Sequence, residues 1–282
     1  MSLQVTPTGA ACGAVITGVD LTQDVDQSVI DEIRTHWLKH KVAIFPNQKL
    51  SNDDLVRVSR YFGEIGEDPF FGSIDENEFI CAIQRKADET APVFAEFFHS
   101  DWSFMQTPPA GTALYGIEIP PEGGDTLFAD QVRAYEEMPD DLRARAEDLI
   151  AIHSAELGYA PDGVYGDNEV SKQRSMRIRP SEKAREKQEH PLVKPHTETG
   201  EKALFSSLAY IQGFVGMDKE VSDPLLGELY LHQSKEEFVY RHKWEKDMLV
   251  IWDNRSVLHS ATGGYDGYDR LLHRTTIADR AG

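Results

Sequence analysis

Apolar residues return every three to four positions between Ser28 and Lys41, with Ile30, Ile33, Trp37 and Leu38 on one side, which predicts an amphipathic helix. Val42–Phe45 follows as a short apolar run that Pro46 stops, the mark of a buried strand. Ser51-Asn52-Asp53-Asp54 reads as a capping box opening a second helix to about Phe62, with Leu55, Val58 and Tyr61 or Phe62 inward. The texture then changes. Phe79–Ile83, Gly111–Ile119, Asp125–Ala129, Leu192–His196, Ala203–Ser206, Phe238–Lys243, Met248–Trp252 and Arg274–Ile277 are short β-rich runs punctuated by Gly, Pro and Asp. Helical patterns interrupt them over Ala134–Ile150 and Asp223–His232. Many short strands with few helices and no βαβ alternation predict a mostly β fold with flanking helices, a double-sheet barrel or jelly roll.

One stretch does not fit that rhythm. From about Tyr159 to Glu189 the chain is dense in Arg, Lys, Glu and Gly, with weak apolar periodicity. It is too long for an ordinary connection. We read residues 1–282 as one domain carrying an insertion over 159–189, either a lid or binding loop, or a solvated surface excursion.

Composition narrows the partners. The 282 residues hold 29 Lys plus Arg against 48 Asp plus Glu, a formal charge of −19. Such a surface repels phosphate backbones and anionic lipid, so neither nucleic acid nor membrane is expected as a partner. No apolar run has the length of a spanning helix, and Met1–Ala11 has no basic-then-apolar signal pattern, so a cytoplasmic protein is expected. The two cysteines, Cys12 and Cys81, make neither a disulfide framework nor a zinc cluster.

Candidate chemistry begins at Phe97-Phe98-His99-Ser100-Asp101. On a strand, residues i and i+2 share a face, so the His99 imidazole and the Asp101 carboxylate can converge on one metal. Phe94, Phe97, Phe98, Trp102 and Phe104 surround the pair in sequence and suggest a dry wall. Far downstream, an apolar strand from Met248 leads through the polar turn Asp253-Asn254-Arg255 to a second short strand ending in His259, then Arg270 and Arg274. Two histidines and one carboxylate are the facial set that holds Fe(II) and leaves positions open. An arginine belongs beside it if a co-substrate ends in a carboxylate, because the planar fork binds that group through two charge-assisted hydrogen bonds. The alternative is that both arginines are surface cations and His259 only fills the core.

These motifs together resemble the Fe(II)- and 2-oxoglutarate-dependent dioxygenases of the taurine and 2,4-dichlorophenoxyacetate dioxygenase family. The resemblance spans nearly the whole chain: Gly13–Leu21 as an opening strand pair, Val42-Ala-Ile-Phe-Pro46 as a core strand, and Phe98–Asp101 with Trp102-Ser-Phe104 as the metal segment. Thr107–Gly111, Gly123-Gly-Asp-Thr126, His190-Pro-Leu-Val with His196 and Gly200, and Trp252-Asp-Asn254 through His259, Arg270 and Arg274 complete it. It implies a double-stranded β-helix fold. It implies His99, Asp101 and His259 as iron ligands, Thr126 and Arg270 as the groups holding the distal carboxylate of 2-oxoglutarate, and Arg274 as the cation for an anionic substrate. His190 and His196 match structural positions. With Asp101 present, hydroxylation is implied over halogenation.

The resemblance also implies the reaction: Fe(II), 2-oxoglutarate and O2 as cofactor and co-substrates, succinate and CO2 as products, and a hydroxylated organic anion, carboxylate or sulfonate. Taurine and alkylsulfonate or alkylsulfate substrates are the alternative within the family. Taurine-specific members read the amine with an Asn-rich segment and an upstream histidine. Here those stretches are Ala91–Phe97 and Glu67–Gly72, which carry phenylalanines and no histidine. An apolar wall is a poor partner for a small zwitterion, so the substrate expected has an apolar or aromatic part, with Glu96 the group that could serve an amine. A zinc hydrolase and a non-catalytic jelly-roll binding protein are the alternatives outside the family. A homo-oligomer, dimer or tetramer, is the implied assembly.

Overall fold

The computed structural model describes residues 3–280. Its main sheet has eight strands, in spatial order Gln4–Pro7, Ala14–Thr17, Val42–Phe45, Leu249–Asp253, Gly111–Glu118, Arg270–Ile277, Asn77–Arg85 and Ser73–Ile74. Opposite it stands a three-stranded sheet, Val239–His242, Thr126–Asp130 and Val257–Ala261. A further three-stranded sheet joins Ile211–Phe214, Ile150–Ser154 and Lys187–Pro191. The jelly-roll expectation holds.

The central strands Val42–Phe45 and Leu249–Asp253 are buried at every position because both faces of the main sheet are covered. Alternation then decides which cover each residue meets. Ala43, Phe45, Leu249 and Ile251 face the helix side with Ile33 and Trp37. Val42, Ile44, Val250 and Trp252 face inward with Phe128 and Val257 of the smaller sheet. That inner layer carries the cavity described below.

The first two helices lie where the periodicity predicts, at Gln27–His40 and Asn52–Arg60. The second opens on a reciprocal box: the Ser51 hydroxyl accepts from the Asp54 amide, and the Asp54 carboxylate accepts from the Ser51 amide. The pattern read as one helix over Ala134–Ile150 is two, Gln131–Glu136 and Asp140–Ala146, because Pro139 offers no amide hydrogen to continue the first. Its last residue, Ile150, starts a strand instead. The helix expected from Asp223 begins earlier, and Lys219–Gln233 packs through Leu225, Leu226 and Leu229.

Between Tyr159 and Glu189 the chain forms two short 3-10 turns, Ser171–Gln173 and Glu182–Arg185. It is neither a separate layer nor a bare excursion: Tyr159, Ala160, Met176 and Ala184 are buried with Phe70, Phe71 and Trp102. Among the described residues, no helix is long and apolar enough to cross a membrane.

Candidate metal centre and anion cavity

A single backbone pair builds the centre. The His99 amide donates to the His259 carbonyl at 3.0 Å, and the His259 amide donates back to the His99 carbonyl at 2.8 Å. This closed exchange sets two imidazoles side by side, with ring centroids 4.3 Å apart. The chain then turns, with Trp102 at φ 45°, so Asp101 lies in a turn and not on a continuing strand. The turn carries its carboxylate back over the pair. His99 Nε2 is 3.9 Å from Asp101 Oδ1, and His259 Nε2 is 3.7 Å from Oδ2. Ligand atoms of all three groups lie within 4.8 Å of one another, in a buried setting.

The protonation states suit a cation. Burial drives the His259 imidazole down to about 3, and the neighbouring His99 adds to that. Burial also lowers His99, against the pull of Asp101. Both rings are therefore neutral near pH 7, with His99 Nδ1 directed to the Phe97 carbonyl at 2.9 Å and Nε2 left as the lone-pair nitrogen. Burial alone would raise the Asp101 carboxyl, yet Arg274, His259, His99 and the Thr112 hydroxyl hold it at about 2. Neutral, neutral and anionic donors on one face fit a divalent metal. His259 Nδ1 is buried without a hydrogen-bond partner in the structure.

A chain of donors fixes the carboxylate. Trp252 Nε1 donates to Asn254 Oδ1 at 2.9 Å, Asn254 Nδ2 to Thr112 Oγ1 at 3.0 Å, and Thr112 Oγ1 to Asp101 Oδ2 at 2.6 Å. Thr112 and Trp252 are direct cross-strand partners in the main sheet. Sequence reasoning included Trp252 and Asn254 in a motif without giving them work, and it missed Thr112, a threonine with no local signal.

Arg270 and Arg274 leave the same face of strand Arg270–Ile277 and line one cavity with His99, Asp101, Thr126 and His259. Neither is a surface cation: 7% of Arg270 and 5% of Arg274 is exposed. Arg270 Nη2 donates to the Gly124 carbonyl at 3.1 Å, its Nε has no partner, and burial pulls its pKa down. Gly124 sits at φ +67°, and a Cβ there would come 3.0 Å from Arg270 Nε, so glycine is what lets the guanidinium lie against the loop. Thr126 Oγ1 accepts from Trp244 Nε1 at 2.9 Å, which leaves its own hydrogen free to donate. Trp244 is a second residue that the sequence did not flag.

Arg274 is differently placed. Nη2 lies 3.2 Å from Asp68 and 3.3 Å from Asp101, and the guanidinium rests over Trp102 and Phe71. Asp68 is itself held by the Trp102 indole and the Thr276 hydroxyl, each at 2.9 Å. It lies in the Glu67–Gly72 segment and was not singled out in the sequence.

The aromatic wall differs from expectation. Of the five aromatics around His99, only Phe94 lines the cavity. Trp102 and Phe104 pack behind it, Phe98 turns to Ala129 and Leu258, and Phe97 is 68% exposed because its backbone, not its ring, serves His99. Beside Phe94, the apolar lining includes Ile83, Leu114, Met176 and the rings of Trp252 and Tyr265. Glu96 is exposed and is not part of the lining. His190 and His196 lie outside the site: the first meets the Met105 carbonyl, and the second meets Asp253 at 2.9 Å.

Comparison with known proteins gives the same direction. The family model described as taurine catabolism dioxygenase TauD, TfdA family matches residues 4–276. An alpha-ketoglutarate-dependent 2,4-dichlorophenoxyacetate dioxygenase of Cupriavidus pinatubonensis is 31% identical, covering 100% of this chain and 99% of its own. An alpha-ketoglutarate-dependent sulfate ester dioxygenase of Pseudomonas putida is 29% identical over 99% of this chain and 90% of that protein. The crystal structure of a taurine dioxygenase from Burkholderia xenovorans superposes with a TM-score of 0.80 at 32% identity, covering 99% of this chain and 91% of that one.

Proposed function

The chain belongs to the TauD/TfdA dioxygenase family, and from that premise we propose that its cavity hydroxylates a small organic anion bearing an apolar or aromatic part. It is a 2-oxoglutarate-dependent oxidoreductase and works with Fe(II), 2-oxoglutarate and O2. The zinc-hydrolase and non-catalytic readings fall to that shared activity. His99, Asp101 and His259 are our metal ligands, Thr126 and Arg270 our co-substrate anchors, and Arg274 a substrate-anion residue. The observation that carries this assignment is the convergence of two neutral imidazoles and one ionised carboxylate on a cavity that two buried arginines also line.

When bound, iron and 2-oxoglutarate supply the oxidising chemistry, with succinate and CO2 as products. The protein's own groups bind, orient and exclude water. Arg270, with a buried Nε and, among the described residues, no carboxylate partner, and Thr126, with a free hydroxyl hydrogen, suit the distal carboxylate of 2-oxoglutarate. Ile83, Phe94, Leu114 and Met176 suit an apolar body and keep solvent from the reacting carbon. This lining favours sulfate esters, sulfonates and phenoxy acids over taurine, whose ammonium would lose hydration there. We also expect a homo-oligomer, dimer or tetramer, and no nucleic-acid binding; light scattering and a DNA-shift assay check these.

The test is substrate-dependent succinate formation with oxygen uptake across a panel of alkyl sulfates, sulfonates, phenoxyalkanoates and taurine. Turnover of an amphiphilic anion with taurine inert is expected. Turnover of taurine alone would overturn the substrate reading, and no coupled turnover with any anion would overturn the whole proposal.

A further inference from the structure

Four arginines line the cavity: Arg85, Arg174, Arg270 and Arg274. Under the function proposed above, three of them already have an anionic partner. Arg85 lies 3.9 Å from the buried Glu89 and 3.2 Å from Asp266, which is exposed and screened by solvent. Arg274 keeps Asp68 at 3.2 Å even when Asp101 is given to the metal. Arg270 would meet the distal carboxylate of 2-oxoglutarate, and Asp101 together with the co-substrate's other carboxylate would offset the charge of Fe(II).

Arg174 is the exception. It comes from the 159–189 insertion, and among the described residues no carboxylate lies within ion-pair distance of it. Its Nη1 donates to the Pro92 carbonyl at 2.9 Å, its guanidinium lies 5.2 Å from the Tyr165 ring, and its buried Nε has no partner. Its backbone is pinned on both sides. Thr90 donates to Gln173 at 2.8 Å, the Ser175 amide and hydroxyl donate to Glu89 at 2.9 and 2.8 Å, and Gln84 donates to the Ser175 carbonyl. A charge held this way needs little ordering when a ligand arrives.

We infer that Arg174 supplies the net positive charge of the loaded cavity and binds the anionic group of the substrate, so that the insertion is the element selecting a singly charged anion. Arg274, paired with Asp68, contributes directed donors but little net charge. This rests on the proposed function, and it assigns the 159–189 segment a binding role.

The test is calorimetry on anaerobic holoenzyme with Fe(II) and 2-oxoglutarate, titrated with hexyl sulfate and with 2,4-dichlorophenoxyacetate, so that binding is read without turnover. Arg174→Gln is expected to weaken whichever probe the wild type binds by about five- to ten-fold, because a charge contact at a partly exposed cavity wall is lost. Arg174→Lys should recover most of the loss, and 2-oxoglutarate affinity should not move. In the Arg174→Gln background, Asp68→Asn should restore anion binding by releasing the charge of Arg274. Should that double variant fail to fold, the salt dependence of binding takes its place and must be shallower in Arg174→Gln than in wild type. Probe affinity within two-fold of wild type in Arg174→Gln overturns the inference and leaves the function standing. A wild type that binds neither probe and couples no anion to succinate formation overturns both.

Discussion

Replacing Thr112 with valine keeps the shape of a fully buried side chain and removes one hydroxyl. That hydroxyl donates 2.6 Å to Asp101 Oδ2 and accepts from Asn254 Nδ2 at 3.0 Å, so the change costs two bonds. A hydrogen bond to an ionised carboxylate contributes about 1.5–3 kcal/mol, and an amide left buried without an acceptor costs about 1–3 kcal/mol more. Part of this appears as lost stability, and a fall in Tm of several degrees is expected for a chain of this size. The rest appears at the centre. A carboxylate no longer held by its outer partner rotates, and loss of such partners lowers metal affinity by about ten- to a hundred-fold. The assay is Fe(II) titration under anaerobic conditions, with Thr112→Ser as control. Serine retains the hydroxyl and should bind metal within a few-fold of wild type. Thr112→Val with wild-type metal affinity and unchanged Tm would refute the claim that the Trp252–Asn254–Thr112 chain orients Asp101.

His99→Ala or His259→Ala should abolish succinate formation and sharply weaken iron binding, as should Asp101→Gly; activity retained in any of them removes that residue from the ligand set. Arg270→Ala should raise KM for 2-oxoglutarate roughly thirty-fold to several thousand-fold, the kinetic equivalent of about 2–5 kcal/mol, with a much smaller change for the prime substrate. Arg274→Ala should uncouple oxygen uptake from substrate oxidation while 2-oxoglutarate binding stays nearly intact; unchanged coupling would remove it from the substrate site. Stability should also fall with acid. Burial holds His153 at about 3, with His190 and Lys194 adding to the depression, and burial holds His242 at about 4. Both stay neutral in the fold while the unfolded chain takes up protons below about 6.5. The stabilisation is therefore complete above 6.5 and is lost as pH drops towards 4 and then 3, at about 1.4 kcal/mol per pH unit for each ring. Melts at pH 7 and pH 5 with equal Tm would contradict that.

The fold was legible wherever a local rule and the tertiary environment agree. Trp37 and Ile33 announce their helix face because a single apolar stripe covers one side of the main sheet. Ser51 and Asp54 announce the next helix because the box is made entirely from local atoms. Ala134–Ile150 misled because its apolar spacing continues across Pro139, where the missing amide breaks the helix that the spacing promises. The strands Lys187–Pro191 and Ile211–Phe214 were not visible, since each is short, carries polar residues and is completed by pairing with Ile150–Ser154 far away in sequence.

The same division runs through the site. His99, Asp101 and His259 could be picked out because residue type carries the chemistry, although the reason first given for His99 and Asp101, a shared strand face, is not how the chain brings them together. Asp101 reaches the pair from the turn that follows His99, and the antiparallel bridge to His259 supplies the third group. Thr112 and Trp244 were invisible, and Asn254 was named without a role, because a hydroxyl, an indole and an amide acquire a role only from the neighbour they meet. Several groups around the centre thus sit on paired backbone, Thr112 and Trp252 across one ladder and His99 and His259 across an isolated antiparallel bridge, while Asp101 lies in the turn beyond. Arg174 sits instead in the 159–189 segment, held through the Pro92 carbonyl, with its neighbour Gln173 accepting from Thr90. On the inference drawn from Arg174, the substrate anion would be read from residues 159–189 and the metal held by residues elsewhere in the chain. Relatives that match nearly the whole of this chain and are named for compounds as different as a sulfate ester and 2,4-dichlorophenoxyacetate are what such a separation permits.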